Sequence, residues 1–154
     1  MKTNFLKYGL VILMIFSITG CSEDESDEII VETSITDEIL TLVNAHRESK
    51  GLEKLSRNTT ADNLAIDHSK YMIAQDKISH DNFKARTENL KRNENAKGTG
   101  ENVAYGYNTA QKVVTAWLNS SGHKENIEGN FTHTGIAAIQ NSEGTYYFTQ
   151  LFYR

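Results

Sequence analysis

Two imidazoles, one carboxylate and one hydroxyl stand in three short polar stretches where folding alone does not call for them. The stretches are Ile78-Ser79-His80-Asp81, Gly100-Glu101-Asn102-Val103-Ala104 and Trp117-Leu118-Asn119-Ser120-Ser121-Gly122-His123. Brought into one cleft, His80 and His123 could bind Zn2+ or a similar divalent metal at about 2.0–2.1 Å, with a carboxylate or water completing the sphere. Without a metal, Glu101 could act as a general base or hold one imidazole in a single tautomer. Ser120 offers a hydroxyl whose helical spacing to His123 permits a hydrogen bond without demanding one. It lacks the flanking glycines of a nucleophile elbow, so a serine-hydrolase reading has little support. HExxH, a Walker loop and paired CxxC are absent from the sequence.

The other three histidines read as structural. His46 and His68 close apolar helical stripes, and His133 lies at a strand entrance. His80 and His123 continue no such stripe, and each alone reads as an exposed loop residue. What sets them apart is Glu101 between them, in a glycine-bounded segment where a backbone turn can aim a side chain.

Positioning these groups falls to a small set of elements. Ile39, Leu42, Val43 and His46 recur at i, i+3, i+4 and i+7, as do Ala61, Leu64, Ala65 and His68, and again Ala110, Val113, Val114 and Trp117. Each set falls on one helical face. With Thr36, Thr59 and Asn108-Thr109 as start signals, helices are expected near 36–50, 60–76 and 109–121. Gly51 and Gly122 are expected to close helices in the left-handed region. The segments 134–140 and 145–153, rich in β-branched and aromatic residues, predict a hairpin joined by Asn141-Ser142-Glu143-Gly144. Residues 77–108 read as one long, mostly polar connection. Its basic residues Lys84, Arg86, Lys91, Arg92 and Lys97 read as a solvated loop. The result is an α+β domain, with helices packed on a small antiparallel sheet.

The chain ends add an address. Lys2 and Lys7 precede a nearly unbroken apolar run from Tyr8 to Ile18, short of the ~20 residues of a membrane span. Ile18-Thr19-Gly20-Cys21 then resembles a bacterial lipoprotein signal, which predicts a signal peptide over 1–20 and lipidation of Cys21. That lipid would tether the protein to the membrane rather than make it span. Cys21 is the sole cysteine, so no disulfide forms within one chain. Residues 22–32 carry six acids and no base, and 21–33 read as an acidic tether before a domain over 34–154. The serine and acid cluster after Cys21 resembles export signals of surface lipoproteins in some Bacteroidetes, which places the protein in the bacterial cell envelope, on the outer membrane or cell surface. From Thr33 onward Lys and Arg balance Asp and Glu at 14 each, which argues against a nucleic-acid partner.

Taken together, six segments in order resemble the CAP superfamily, or SCP domain, of cysteine-rich secretory, antigen 5 and pathogenesis-related proteins. They are Leu42-Val43-Asn44-Ala45-His46-Arg47; the helix over 65–72 with Ser79-His80; Gly100-Glu101-Asn102-Val103-Ala104; Trp117 to His123 with Asn126-Ile127; Thr132-His133-Thr134-Gly135-Ile136; and Tyr146-Tyr147-Phe148-Thr149-Gln150-Leu151-Phe152. The resemblance implies an α–β–α sandwich with a central cleft and a tetrad at His80, Glu101, Ser120 and His123. The histidines fall on positions that coordinate zinc or a similar ion in some members. Ser120 stands where many eukaryotic members have a second glutamate, and Ser121 where bacterial relatives often have proline. Family members have been linked to lipid and sterol binding, to cell-wall interaction and to proteolysis. Three roles follow for this chain. The first is a lipid-anchored binding module for a small-molecule, lipid-like or cell-wall ligand. The second is a metal-assisted, peptidase-like hydrolase using Glu101 as general base. The third is a polar network that only orders the 77–108 segment.

Overall fold

The computed structural model describes the backbone of residues 27–154 and side chains from Ile35 onward. Cys21, its expected lipidation and the signal peptide lie outside the described residues. Among the described residues the order is α1 (Asp27–Ser49), β1 (Ser56–Arg57), α2 (Thr59–Ala74), α3 (Phe83–Glu94), β2 (Thr99–Tyr105), α4 (Ala110–Leu118), α5 (Ser121–Ile127), β3 (His133–Gln140) and β4 (Tyr146–Tyr153). The strands form one sheet in the order β1-β3-β4-β2. β2, β4 and β3 pair antiparallel, and β1 joins β3 in parallel through Ser56 and Arg57, so the sheet is mixed rather than wholly antiparallel.

β4 explains the layering. Its residues alternate between the two sheet faces, yet all eight are buried. Tyr146, Phe148 and Phe152 pack with Ile39 and Val43 of α1, Val113, Val114 and Trp117 of α4, and Ile127 of α5. On the other face Tyr147, Leu151 and Tyr153 meet Met72, Ala65 and Ala61 of α2 and Leu90 of α3. A strand apolar on both sides must be covered twice, and the α–β–α sandwich is the result. Gly135 permits a close approach of β3 to α2: a Cβ there would lie 2.0 Å from the Ala61 backbone carbon.

The expected helices are present, with shifted ends. α1 begins at Asp27, nine residues before the expected 36, since 27–35 contain neither Gly nor Pro. α2 is capped by Asn58, whose side chain accepts from the Ala61 amide, one residue before the expected Thr59. Thr109 caps α4 as its sequence context indicates. Gly51 takes the left-handed conformation at φ 72°.

Four further expectations fail. The segment 77–108 is not one loop, because it contains helix α3 and strand β2. Glu101 therefore sits on a strand and not on a glycine turn. The third helix does not run unbroken to 121: α4 stops at Leu118, Ser120 is extended (φ −105°, ψ 122°), and α5 starts at Ser121. Gly122 is consequently inside α5 instead of terminating a helix, and His123 lies in α5's first turn.

Candidate functional site

β2 is an edge strand, and its alternation decides how the site divides. Odd residues face the α2–α3 layer and even residues face α4 and α5. Glu101 enters the first layer, where its carboxylate is closed in with 1% side-chain exposure. Arg86 of α3 grips it with a fork: Nε donates to Oε2 at 2.7 Å and Nη2 to Oε1 at 2.8 Å. A third donor, Nη1, reaches the Asp81 carbonyl at 2.8 Å. His80, in the turn between α2 and α3, places Nδ1 2.8 Å from Glu101 Oε1. A carboxylate held by a guanidinium accepts, so His80 donates to it through Nδ1, and its Nε2 makes no hydrogen bond to the protein. This imidazole is 54% exposed.

Beneath it lies His68. Its Nε2 donates to the Ser79 carbonyl at 2.8 Å and stands 4.0 Å from Glu101 Oε1. Burial holds its pKa below the ordinary imidazole value, with Arg86 and His80 acting in the same direction against the Ser79 carbonyl and Glu101. His68 and Arg86 thus pin the turn that carries His80 at Ser79 and at Asp81.

The second pair belongs to the other layer. His123 Nδ1 lies 2.8 Å from Ser120 Oγ. Asn102, fully buried on the even face of β2, donates to the His123 carbonyl at 3.0 Å. Asn126 of α5 donates to the Glu101 carbonyl at 3.1 Å and to Asn102 Oδ1 at 2.9 Å. With Trp117 Nε1 donating to the Val103 carbonyl at 3.3 Å, α4 and α5 occupy outward acceptors of the sheet edge. Burial, then the charge of His80, lowers the pKa of His123.

The four expected residues are thus two hydrogen-bonded pairs on either side of β2. A cleft of about 280 Å³ opens along the strand's C-terminal half, lined by Ile78, Val103, Tyr105, Tyr107, Trp117, Ser120 and His123, with Ala104 and Ala116 between them. Ser120 and His123 form its polar end, and neither His80 nor Glu101 lines it. Ile78 and Tyr105 are the two large hydrophobic residues exposed among the described residues, and both are in its wall.

Metal fits this donor set poorly. Each imidazole has Nδ1 engaged and Nε2 without a protein partner, the arrangement that outer-contact residues impose on metal-binding histidines. Both Glu101 oxygens, however, are taken by Arg86 and His80, and among the described residues no group of three or more His, Cys, Asp or Glu is placed to hold an ion. His80 and His123 could supply only two nitrogens, one fewer than the three protein ligands usual at catalytic zinc.

Sequence reasoning missed Arg86, reading it as part of a solvated loop; it is buried at the centre of the Glu101 cluster. The signal was present: Phe83, Arg86 and Leu90 stand at i, i+3 and i+7, a helical stripe with a guanidinium in the middle. His68 was correctly read as a buried, partnered residue, but its reach to the site was not. Gln150 is a buried sheet residue that donates to Thr134 Oγ1 at 3.2 Å and does not line the cleft.

A family model for the cysteine-rich secretory protein family, CAP, matches residues 40–152. Among curated relatives, the uncharacterized protein YkwD of Bacillus subtilis (strain 168) is 33% identical over 107 residues, covering 67% of this chain and 42% of that protein. The uncharacterized membrane protein YlbC of the same organism is 30% identical over 126 residues, covering 79% and 35% respectively. The chain therefore spans less than half the length of these relatives. An extracellular protein of Bacillus anthracis str. Ames containing an SCP domain superposes with a TM-score of 0.72 at 27% identity, covering 87% of this chain and 45% of the other. An outer surface protein of Borrelia burgdorferi shares the fold, with a TM-score of 0.68 at 21% identity over 88% of this chain and 98% of that one.

Proposed function

The chain belongs to the cysteine-rich secretory protein family, CAP, and from that premise we propose that it is a binding module of the bacterial cell envelope. Its cleft takes the apolar body of a small or lipid-like ligand, with the ligand's polar end at Ser120 and His123. The cleft itself carries this reading. Its walls are mainly apolar, Ser120 and His123 bring a hydroxyl and an imidazole to the lining, and Ile78 and Tyr105 are left in contact with water. Such a pattern suits a ligand with one hydrophobic and one polar end. At about 280 Å³ the cleft suits a small ligand or one segment of a longer one.

A location in the envelope is supported by the lipoprotein-like sequence ending in Cys21. The descriptions of an extracellular, an outer-surface and a membrane protein among its likenesses agree with it. Metabolic labelling with a radioactive fatty acid tests the anchor: label lost in Cys21→Ala supports it, and equal label in that variant refutes it.

Binding is tested by titrating the protein with a neutral, environment-sensitive naphthylamine probe. Saturable binding that Tyr105→Asp abolishes, with the circular dichroism spectrum unchanged, is the expected result. Equal affinity in wild type and variant would remove the cleft from the account. Elemental analysis of protein purified without added metal tests the donor set itself: two histidine nitrogens predict no stoichiometric ion, and a stoichiometric ion would overturn that reading. The metal-assisted hydrolase is the weakest of the three roles, because a carboxylate gripped by Arg86 makes a poor general base.

A further inference from the structure

Ser120 is the N-cap of α5, yet its hydroxyl makes no capping hydrogen bond. A serine there ordinarily accepts from an amide of the first turn, which stabilises a helix by about 1 kcal/mol. Here Oγ instead lies 2.8 Å from Nδ1 of His123. The same two side chains form the polar end of the apolar cleft. A hydroxyl diverted from its local structural role to an imidazole, at the end of a cavity fit for a hydrocarbon group, is the geometry of a nucleophile beside its base.

We propose that Ser120 is a nucleophile and His123 its general base, and that the cleft supports hydrolysis of an ester with an apolar acyl group. Ser120 Oγ attacks the ester carbonyl carbon as its proton passes to His123 Nδ1. The tetrahedral adduct collapses, the C–O bond to the alcohol breaks, and the departing oxygen takes the proton from His123. The product is an acyl-Ser120 ester. Water then attacks that carbonyl, giving a proton to His123 Nδ1, and collapse returns the proton to Ser120 as the acid leaves. Ester and water become acid and alcohol, with no further reactant. Esters suit the pair better than amides, because an alkoxide leaves with less assistance than an amine. The step requires neither His80 nor Glu101, whose contacts lie in the other layer. It rests on the cleft being the ligand site.

The experiment treats the purified full chain with an alkyl fluorophosphonate and maps the adduct by mass spectrometry, while the naphthylamine probe reports occupancy of the cleft. Stoichiometric phosphonylation of Ser120, at least tenfold slower in His123→Asn and blocked by the bound probe, is the expected result. A burst of about one nitrophenol per protein from p-nitrophenyl butyrate, absent in Ser120→Ala, should accompany it. Probe binding without any adduct on Ser120 overturns the inference and leaves the binding module standing. Absence of both probe binding and adduct overturns the two together.

Discussion

Replacing Arg86 by Met tests the centre of the site most directly. The methionine matches the aliphatic stem in length, so the volume between α3 and β2 is largely kept, while three hydrogen bonds are lost, to Glu101 Oε2, Glu101 Oε1 and the Asp81 carbonyl. Glu101 would then hold a charge at 1% side-chain exposure with only His80 as a close polar partner. Removing one member of a buried ion pair costs about 3–5 kcal/mol, chiefly because the survivor is left desolvated and unpaired. For a domain of this size that corresponds to roughly 10–20 °C in Tm. Glu101→Gln is expected to cost a similar amount by stranding the guanidinium. The double variant removes both charges and should be more stable than the sum of the single losses predicts, by about 2 kcal/mol. Urea denaturation of the four proteins measures the cycle. Single losses under about 1 kcal/mol, or additivity in the double variant, would refute the view that Arg86 and Glu101 act as one buried unit.

Gly135→Ala should cost more than about 3 kcal/mol or prevent folding, because its Cβ would lie 2.0 Å from the Ala61 backbone and neither element can retreat; a loss below 1 kcal/mol in urea would show otherwise. Gln150→Met should raise stability by about 1 kcal/mol in the same assay, since Oε1 of Gln150 is buried without a partner; a loss would mean that its bond to Thr134 outweighs that orphan. Stability should fall as pH drops below about 6.5, because the unfolded chain takes up protons there while buried His68 and half-buried His123, with lowered pKa values, take up fewer. His68→Gln should flatten that dependence in part, and an unaltered slope between pH 7 and 5 would exclude His68 as a cause.

Much of this molecule can be read along the chain. The helices α1, α2 and α4 announce themselves because each buries one face through regularly spaced apolar residues, a property of local sequence. The β3–β4 hairpin does the same through its β-branched and aromatic runs, and the Asn141 side chain closes the connection by accepting from Glu143 and Thr145 amides. The four candidate residues were also found in sequence, by their polar stretches and by family resemblance. α3 escaped because its buried face runs Phe83, Arg86, Leu90, and an arginine counts as apolar only when a distant carboxylate neutralises it. The break before α5 escaped because one helix was read through Asn119-Ser120-Ser121, although serine and asparagine favour caps over helix interiors; Asn102 and Asn126 tie the restarted α5 to the edge of the sheet.

Periodicity thus indicated three of the helices and the hairpin, while the polar stretches together with the family resemblance named the candidate groups and implied the layers. Only the tertiary structure decided their pairing. Alternation along β2 sends Glu101 to one side and Asn102 to the other, so His80 joins an arginine-held carboxylate while His123 joins a serine at the apolar cleft. Which residue a side chain meets across 20 or more positions depends on strand register and layer packing, and those are fixed by the whole core at once.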